Sequence, residues 1–460
     1  MGEKMEKNAE NTKSQSSLNF SSTAQLADGV NKEKGSVAYN PFEERNLEHP
    51  TSSFGALAHI LKCSLGSGIL AMPNAFKNAG LAFGLVGTVL VGIICTHCVH
   101  ILVKSSHLVC FKAQRPSLTF AETAEMAFST GPESFKKWAP FAKKFVNTAL
   151  VATYYTALSV YVVFIAESFE QVIEYYVDDL HLDIRVYIVI LLVPLSLLCL
   201  IRNLKYLVPF SMLANCFILV GFGITLYYMF SEMPSISDRD LVAPVHSWPL
   251  FFSTVIFAME GIGAVMPVEN SMKNPGFFLG CPGILNISMT TVVTLYAVIG
   301  FFGYMQYGEE TKGSVTLNLP VEEVAAQVVK ILVALAIMFT YPLQFYVGTE
   351  IVLSLVMHRI QKRYENLFEN SYRIMIVILT VGFAVAVPKL GPIIGLVGAI
   401  CFSILGLFCP AIIEIAACWD GGLGIGRWRL YKNIIIAILS GLALISGTYS
   451  SIEDIIKTYG

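Results

Sequence analysis

The sequence predicts an all-α polytopic membrane protein with eleven transmembrane spans, built as two inverted halves of five spans plus one extra. Three observations carry this prediction. Of 460 residues, 55% are hydrophobic and only 14% charged, against about 25% charged in ordinary soluble domains. Apolar runs of about 20 residues, the length that crosses a bilayer, recur along the chain. Two of these runs, far apart in sequence, are interrupted alike by glycines with a proline downstream.

Residues 1–50 come first. They are rich in Ser, Asn, Lys and Glu and bury too little apolar surface to offset chain entropy, which predicts a disordered cytosolic tail. Within it, Tyr39-Asn40-Pro41-Phe42 has the form of a tyrosine-type sorting signal. The polar start predicts no cleaved signal peptide, so the first span serves as its own insertion signal. Glu6, where Ser or Thr is required, argues against myristoylation at Gly2.

Spans are predicted at 54–76, 81–103, 144–168, 184–202 and 206–230 in the first repeat (51–230). The second repeat (231–420) has spans at 248–270, 283–305, 323–356, 372–388 and 391–417. Residues 421–460 hold the extra span, 432–450, and a short outer C-terminus. Leu118–Trp138 reads as a surface segment in the loop after the second span.

Basic loop residues orient the chain. Lys104, Lys112, Arg115, Lys136, Lys137, Lys143 and Lys144 lie on one side, with Arg202, Lys205, Lys273, Arg359, Lys362, Arg363, Arg373, Arg427, Arg429 and Lys432. The opposite loops hold Asp178, Asp179, Asp183, Asp238, Asp240, Glu309 and Glu310. The N-terminus is therefore predicted in the cytosol and the C-terminus outside. The first and sixth spans then run in opposite directions. Their breaks are related by a two-fold axis in the membrane plane and meet near its midplane.

Those breaks lie in HILKCSLGSGILAMPNAFKNAG, His59 to Gly80, and FAMEGIGAVMPVENSMKNPG, Phe257 to Gly276. An interrupted helix exposes amides and carbonyls that lipid cannot satisfy, which is tolerable where a ligand or cavity supplies partners. The helix start at Gly66, Ser67, Gly68 and Ile69 suits a carboxylate. The free carbonyls of Ala258 and Met259 suit an ammonium group, and Gly261 and Gly263 admit a ligand close to the backbone. Together these match a zwitterion, an amino acid. The plainer alternative is that the glycines serve close helix packing.

Glu260 lies inside the second break, where a carboxylate costs roughly 2.5–3.5 kcal/mol and is usually functional. It is a candidate proton carrier or amine partner. His59, a side chain that changes charge near neutral pH, precedes the first break and shares a helix face with Lys62 and Cys63. Glu269 and Asn270 fall toward the inner end as gate or interface groups. Tyr154, Tyr155, Phe257, Thr340 and Tyr341 are candidates for the pocket wall. Cys95-x-x-Cys98 inside an apolar span reads as packing. The chain shows no P-loop, metal constellation or hydrolase motif, so no cofactor, metal or nucleic-acid partner is predicted, and no enzymatic activity.

The two quoted stretches resemble the first- and sixth-span signatures of the proton-coupled amino acid transporter branch of the amino acid/auxin permease family. The likeness extends over roughly residues 50–455 in span count and order. It implies a leucine-transporter-type fold, symport of small neutral amino acids with protons by alternating access, and a proton-coupling role for His59. Vertebrate members hold an extracellular disulfide, whereas the predicted outer loops here contain no cysteine. Two further readings stand beside symport with protons. One is a sodium-coupled carrier on the same fold, with unwound carbonyls and Thr340 or Ser354 caging the cation. The other is an amino acid sensor signalling to cytosolic partners through the tail. Plasma membrane and endosome–lysosome both offer an acidic outer compartment.

Overall fold

The structure, a computed structural model, describes residues 39–45, 47, 50–64, 66–177, 182–202, 204–231, 233–259, 261–280, 282–420 and 423–459. The described residues fold mainly as helices. In order they are α1 (Ser53–Ser64), α2 (Ser67–Ala79), α3 (Leu81–Ala113), α4 (Phe120–Ser129), α5 (Glu133–Lys136), α6 (Ala139–Tyr176), α7 (Ile184–Ile190), α8 (Leu192–Cys199) and α9 (Leu204–Ser231). The second half comprises α10 (Trp248–Ala258), α11 (Ile262–Asn270), α12 (Ile284–Tyr307), α13 (Val324–Val356), α14 (Glu365–Ala386), α15 (Leu390–Val397), a π-helical stretch (Gly398–Phe408) and α16 (Cys409–Cys418). Helix α17 (Trp428–Tyr459) closes the chain.

Among the described residues, and with α10–α11 and α15–α16 each taken as one continuous stretch, nine helices are long and apolar enough to cross a membrane, or up to ten if the bent pair α1–α2 counts as one. The pair α7–α8 is a shorter apolar stretch, Ile184–Cys199. Leu85, Val86, Leu90, Val193, Leu197, Leu219, Ile438 and Ile445 are all exposed. They give the body the apolar outer surface that a bilayer requires.

The two interrupted helices sit at the centre. Helix α2 packs against α10 and α12, and α10 packs against the π-helical stretch. Pro73 within α2 is accommodated by Gly303 on α12, where any Cβ would meet the proline ring. Outside the breaks, the chain ahead of α1 is tied to the chain after α11. Thr51 donates its amide to Ser271 O at 2.8 Å and accepts from Lys273 N at 2.9 Å.

Several predicted boundaries move, each for a physical reason. Helix α14 begins at Glu365, not 372. Its first two turns are polar, so hydropathy passes over them, but Arg373 pairs with Glu369 at 2.8 Å and Arg202 bonds Asn370 at 2.7 Å. Helix α3 runs ten residues beyond the predicted 103, through buried Ser105, Ser106 and His107. The predicted surface segment 118–138 is largely helical. A capping box starts α4: Thr119 accepts from Glu122 N and Glu122 accepts from Thr119 N at 2.9 Å. One face of α4, with Phe120, Ala121 and Ala124, is buried against α3, α6 and α16.

The packed body also begins earlier than residue 51. Pro41 is buried, and Phe42 stands edge-on to His107 and Phe111 of α3, at 4.9 and 5.7 Å between ring centres. The sorting-type tetrapeptide is thus laid against the helical body. Residues 1–38 lie outside the described residues.

Candidate functional site

Both breaks open onto one cavity of about 820 Å³. The first is a 50° bend between α1 and α2. Helix α2 starts at Ser67 with Gly66 as its cap residue, and no side chain caps it. Its first amides therefore lack the partners that a capping side chain would supply. Ser64, Gly66, Ser67, Gly68 and Ile69 all line the cavity. Across it, α10 ends at Ala258 and α11 begins after Gly261, again with no side-chain cap. Ala258, Gly261 and Gly263 line the same space.

The two breaks touch. A Cβ on Gly68 would lie 2.7 Å from the Cα of Ala258 and 3.0 Å from its carbonyl oxygen. Here the packing role of a glycine and its place in the cavity coincide. Gly66 differs, since a Cβ there would find its nearest neighbour at 3.9 Å.

Helix α12 supplies a residue that hydropathy did not single out. The hydroxyl of Tyr296, a fully buried side chain, donates to Ala258 O at 2.7 Å and also contacts Ser64 O. These are carbonyls at the C-terminal ends of α10 and α1, each carrying a partial negative charge from its helix. One hydroxyl proton thus serves both ends. Uncapped helix starts and clustered helix ends facing one space form an environment complementary to a molecule with a carboxylate at one side and an ammonium at the other.

The wall is mostly apolar, with Ile218, Phe222, Leu295, Val333, Phe402 and Leu405, and has polar groups from Thr153, Tyr154, Tyr161, Asn215, Thr340 and Gln344. Lys62 also lines it and donates to Ser211 Oγ of α9 at 3.0 Å. Among the described lining residues there is no carboxylate.

The structure therefore assembles Gly66, Ser67, Gly68, Ile69, Ala258, Gly261, Gly263 and Thr340 around one space. It places five candidates elsewhere: Tyr155, Phe257, Met259, Tyr341 and Ser354. Tyr155 turns away from the cavity: its hydroxyl bonds Tyr372 at 2.8 Å and Thr349 at 3.3 Å. Its neighbour Tyr154 takes the wall position, close enough that a Cβ on Gly263 would lie 2.5 Å from its hydroxyl. Phe257 is fully buried edge-on to Phe402 at 5.7 Å. Met259 lines a separate void of about 30 Å³ behind the break. Tyr341 likewise points into the helix packing, bonded to Thr380 at 2.6 Å. Ser354 is exposed and bonds Ile351 O.

His59 is exposed on α1, one turn before the lining residues Lys62 and Cys63. Glu260 lies outside the described residues.

A second polar assembly sits at the far end of α11. Glu269 is fully buried; its carboxylate meets His107 Nε2 at 2.9 Å and Arg45 Nη2 at 3.2 Å. Arg45 also donates to Glu269 O at 3.1 Å and to Pro116 O at 2.8 Å. Asn270 donates to Leu118 O at 2.8 Å. Glu269 and Asn270 are thus interface groups that fasten the end of α11 to α3 and to the segment before α4. Arg45 and His107 were not legible as their partners, because one lies in a polar tail and the other past the apolar part of its helix.

Comparison with known proteins places this geometry. Residues 49–453 match the family model described as transmembrane amino acid transporter protein. The proton-coupled amino acid transporter-like protein pathetic of Drosophila melanogaster is 45% identical over 421 residues, covering 92% of this chain and 89% of that protein. Vacuolar amino acid transporter 4 of Saccharomyces cerevisiae is 30% identical over 311 residues, 66% of this chain and 40% of that one. Among solved structures, Mhp1, a nucleobase-cation-symport-1 family transporter in a closed conformation with bromovinylhydantoin bound, shares the fold. It aligns with a TM-score of 0.50 at 13% identity, covering 92% of this chain and 94% of that one.

Proposed function

Since the chain belongs to the transmembrane amino acid transporter family, we propose that it carries small neutral amino acids across the membrane together with protons, by alternating access. The observation that bears most weight is the meeting of two uncapped helix starts and two helix ends at one cavity. The substrate carboxylate docks on the amides at Gly66–Ile69. Its ammonium faces the carbonyl side, around Ala258, where each carbonyl oxygen retains a second lone pair beside the Tyr296 hydroxyl.

The fold reading that goes with this is eleven spans in a five-plus-five inverted arrangement. The pair α1–α2 is the first span, α7–α8 the fourth, α10–α11 the sixth, and α17 the extra one. The N-terminus is cytosolic. The membrane is the plasma membrane or that of an endosome–lysosome.

His59 is the proposed proton site on the described chain. It is exposed and shares a helix face with two lining residues. Glu260 remains the proposed second carrier. A proton supplies about 1.4 kcal/mol per pH unit and about 2.3 kcal/mol per 100 mV, which is adequate for concentrative uptake. The name of the Drosophila relative, a proton-coupled amino acid transporter-like protein, supports this reading.

The test is voltage-clamp recording in cells expressing the protein at the surface, with alanine, glycine, proline and leucine applied in turn at acidic and neutral external pH. The expected result is an inward current that grows with acidity and persists when choline replaces sodium. A current that vanishes without sodium would overturn proton coupling.

A further inference from the structure

A second cavity, of about 720 Å³, opens on the flank of the body between α3, α12, α16 and α17, away from the substrate space. Its two ends differ in chemistry. One end is mainly apolar, with Val89, Ile93, Met289 and Val293 beside Thr290 and Thr294; Ile93 is 61% exposed and Val89 41%. The other end gathers Lys104, Arg429 and Lys432, with His97 and His100, and Glu414 is the one carboxylate among its described lining residues.

That carboxylate is already committed. Glu414 accepts from Lys432 Nζ at 2.7 Å and from Asn433 Nδ2 at 2.8 Å. Lys432 also donates to His97 Nε2 at 2.9 Å. Among the described lining residues, two lysines and one arginine thus stand with one carboxylate, and Arg429 also donates to Cys418 Sγ at 3.8 Å. Trp428, 52% exposed, stands at the mouth with the Lys432 ammonium 5.4 Å and the Arg429 guanidinium 5.9 Å from its ring. An exposed tryptophan beside cations is the arrangement found at headgroup level.

The dimensions agree. From Val89 to Lys104, both lining the cavity, α3 advances about 22 Å along its axis. One leaflet of hydrocarbon is about 15 Å deep. The groove therefore spans a leaflet's acyl region and continues into its headgroup layer.

We infer that this groove binds an anionic phospholipid, acyl chain against Val89, Ile93 and Val293, and headgroup phosphate between Lys104 and Arg429, with a phosphoinositide matching the excess of positive charge best. Basic pockets between membrane helices on the cytosolic side take such headgroups. The leaflet assignment rests on the cytosolic N-terminus proposed above, whereas the groove and its charges do not.

The experiment uses the purified full chain in phosphatidylcholine nanodiscs with and without phosphatidylinositol 4-phosphate, followed by thermal unfolding and native mass spectrometry. Nanodiscs expose both leaflets, so the result is independent of orientation and of transport. Protease protection of the tail in sealed cells tests orientation separately. The wild type is expected to unfold several degrees higher with the phosphoinositide and to retain it as an adduct. The double variant Lys104→Gln, Arg429→Gln is expected to lose both effects. A control, Lys362→Gln with Arg363→Gln in an exposed loop, is expected to keep them. Equal retention by the wild type and the Lys104/Arg429 variant overturns the site. A matching stabilisation by soluble inositol trisphosphate overturns the lipid as its occupant. Should the double variant fail to fold, Arg429→Lys, which keeps the charge, replaces it: retention weakened but present supports the site, and unchanged retention in Arg429→Ala overturns it.

Discussion

The Tyr296 hydroxyl and the Ala258 carbonyl are 2.7 Å apart, and the same hydroxyl reaches Ser64 O. One side chain on α12 therefore ties together the ends of both interrupted helices. Replacing Tyr296 with Phe keeps the ring and removes the donor, leaving buried acceptors unmet at roughly 1–3 kcal/mol. We expect amino acid uptake into proteoliposomes to fall about tenfold, with a lowered unfolding temperature. Uptake within about twofold of wild type would mean that the hydroxyl is dispensable.

The Gly68–Ala258 contact makes a sharper comparison. A methyl on Gly68 has backbone in its way at 2.7 Å, whereas one on Gly66 has room. Overpacking of this kind costs about 1–3 kcal/mol. Gly68→Ala should therefore lower the unfolding temperature by several degrees, and Gly66→Ala should leave it nearly unchanged. The two purified variants are to be compared by thermal unfolding, and equal unfolding temperatures would argue against a tight junction of the breaks.

At the other end of α11, Arg45 is bonded to Glu269 and to two backbone carbonyls. Removing one member of a buried ion pair costs about 3–5 kcal/mol. Arg45→Gln is expected to lower the unfolding temperature by several degrees. Arg45→Lys should recover only part of that loss, because an ammonium cannot reproduce the guanidinium's fork. Full recovery with Lys would show that charge alone suffices.

For the proton, His59→Ala is expected to remove the acid-stimulated component of uptake while substrate exchange, which needs no net proton movement, continues. Uptake that still rises as the outer pH falls would take His59 out of the coupling.

Much of this architecture is legible in sequence, because its signals are local. The glycine pairs and downstream prolines mark the breaks wherever the rest of the chain goes. Hydropathy finds the long helices for the same reason. What escapes is rotation and distance. Successive residues on a helix point about 100° apart, and α6 is apolar on most of its circumference, so nothing local decides between Tyr154 and Tyr155. Tyr296 escapes because its importance depends on where α12 crosses two other helices. His107 and Arg45 escape because their polar surroundings resemble a loop and a tail until tertiary packing buries them.

The segment from Tyr39 to Arg45 carries two features in one short length of chain. Its tyrosine, proline and aromatic residue have the form of a trafficking signal, and its arginine clamps the buried end of an interrupted helix. The same peptide cannot be gripped by a partner and seated on the body at once. Whatever free energy the seated state contributes is subtracted from any such grip, and by reciprocity any protein that seizes the tetrapeptide loosens α11 by the same amount.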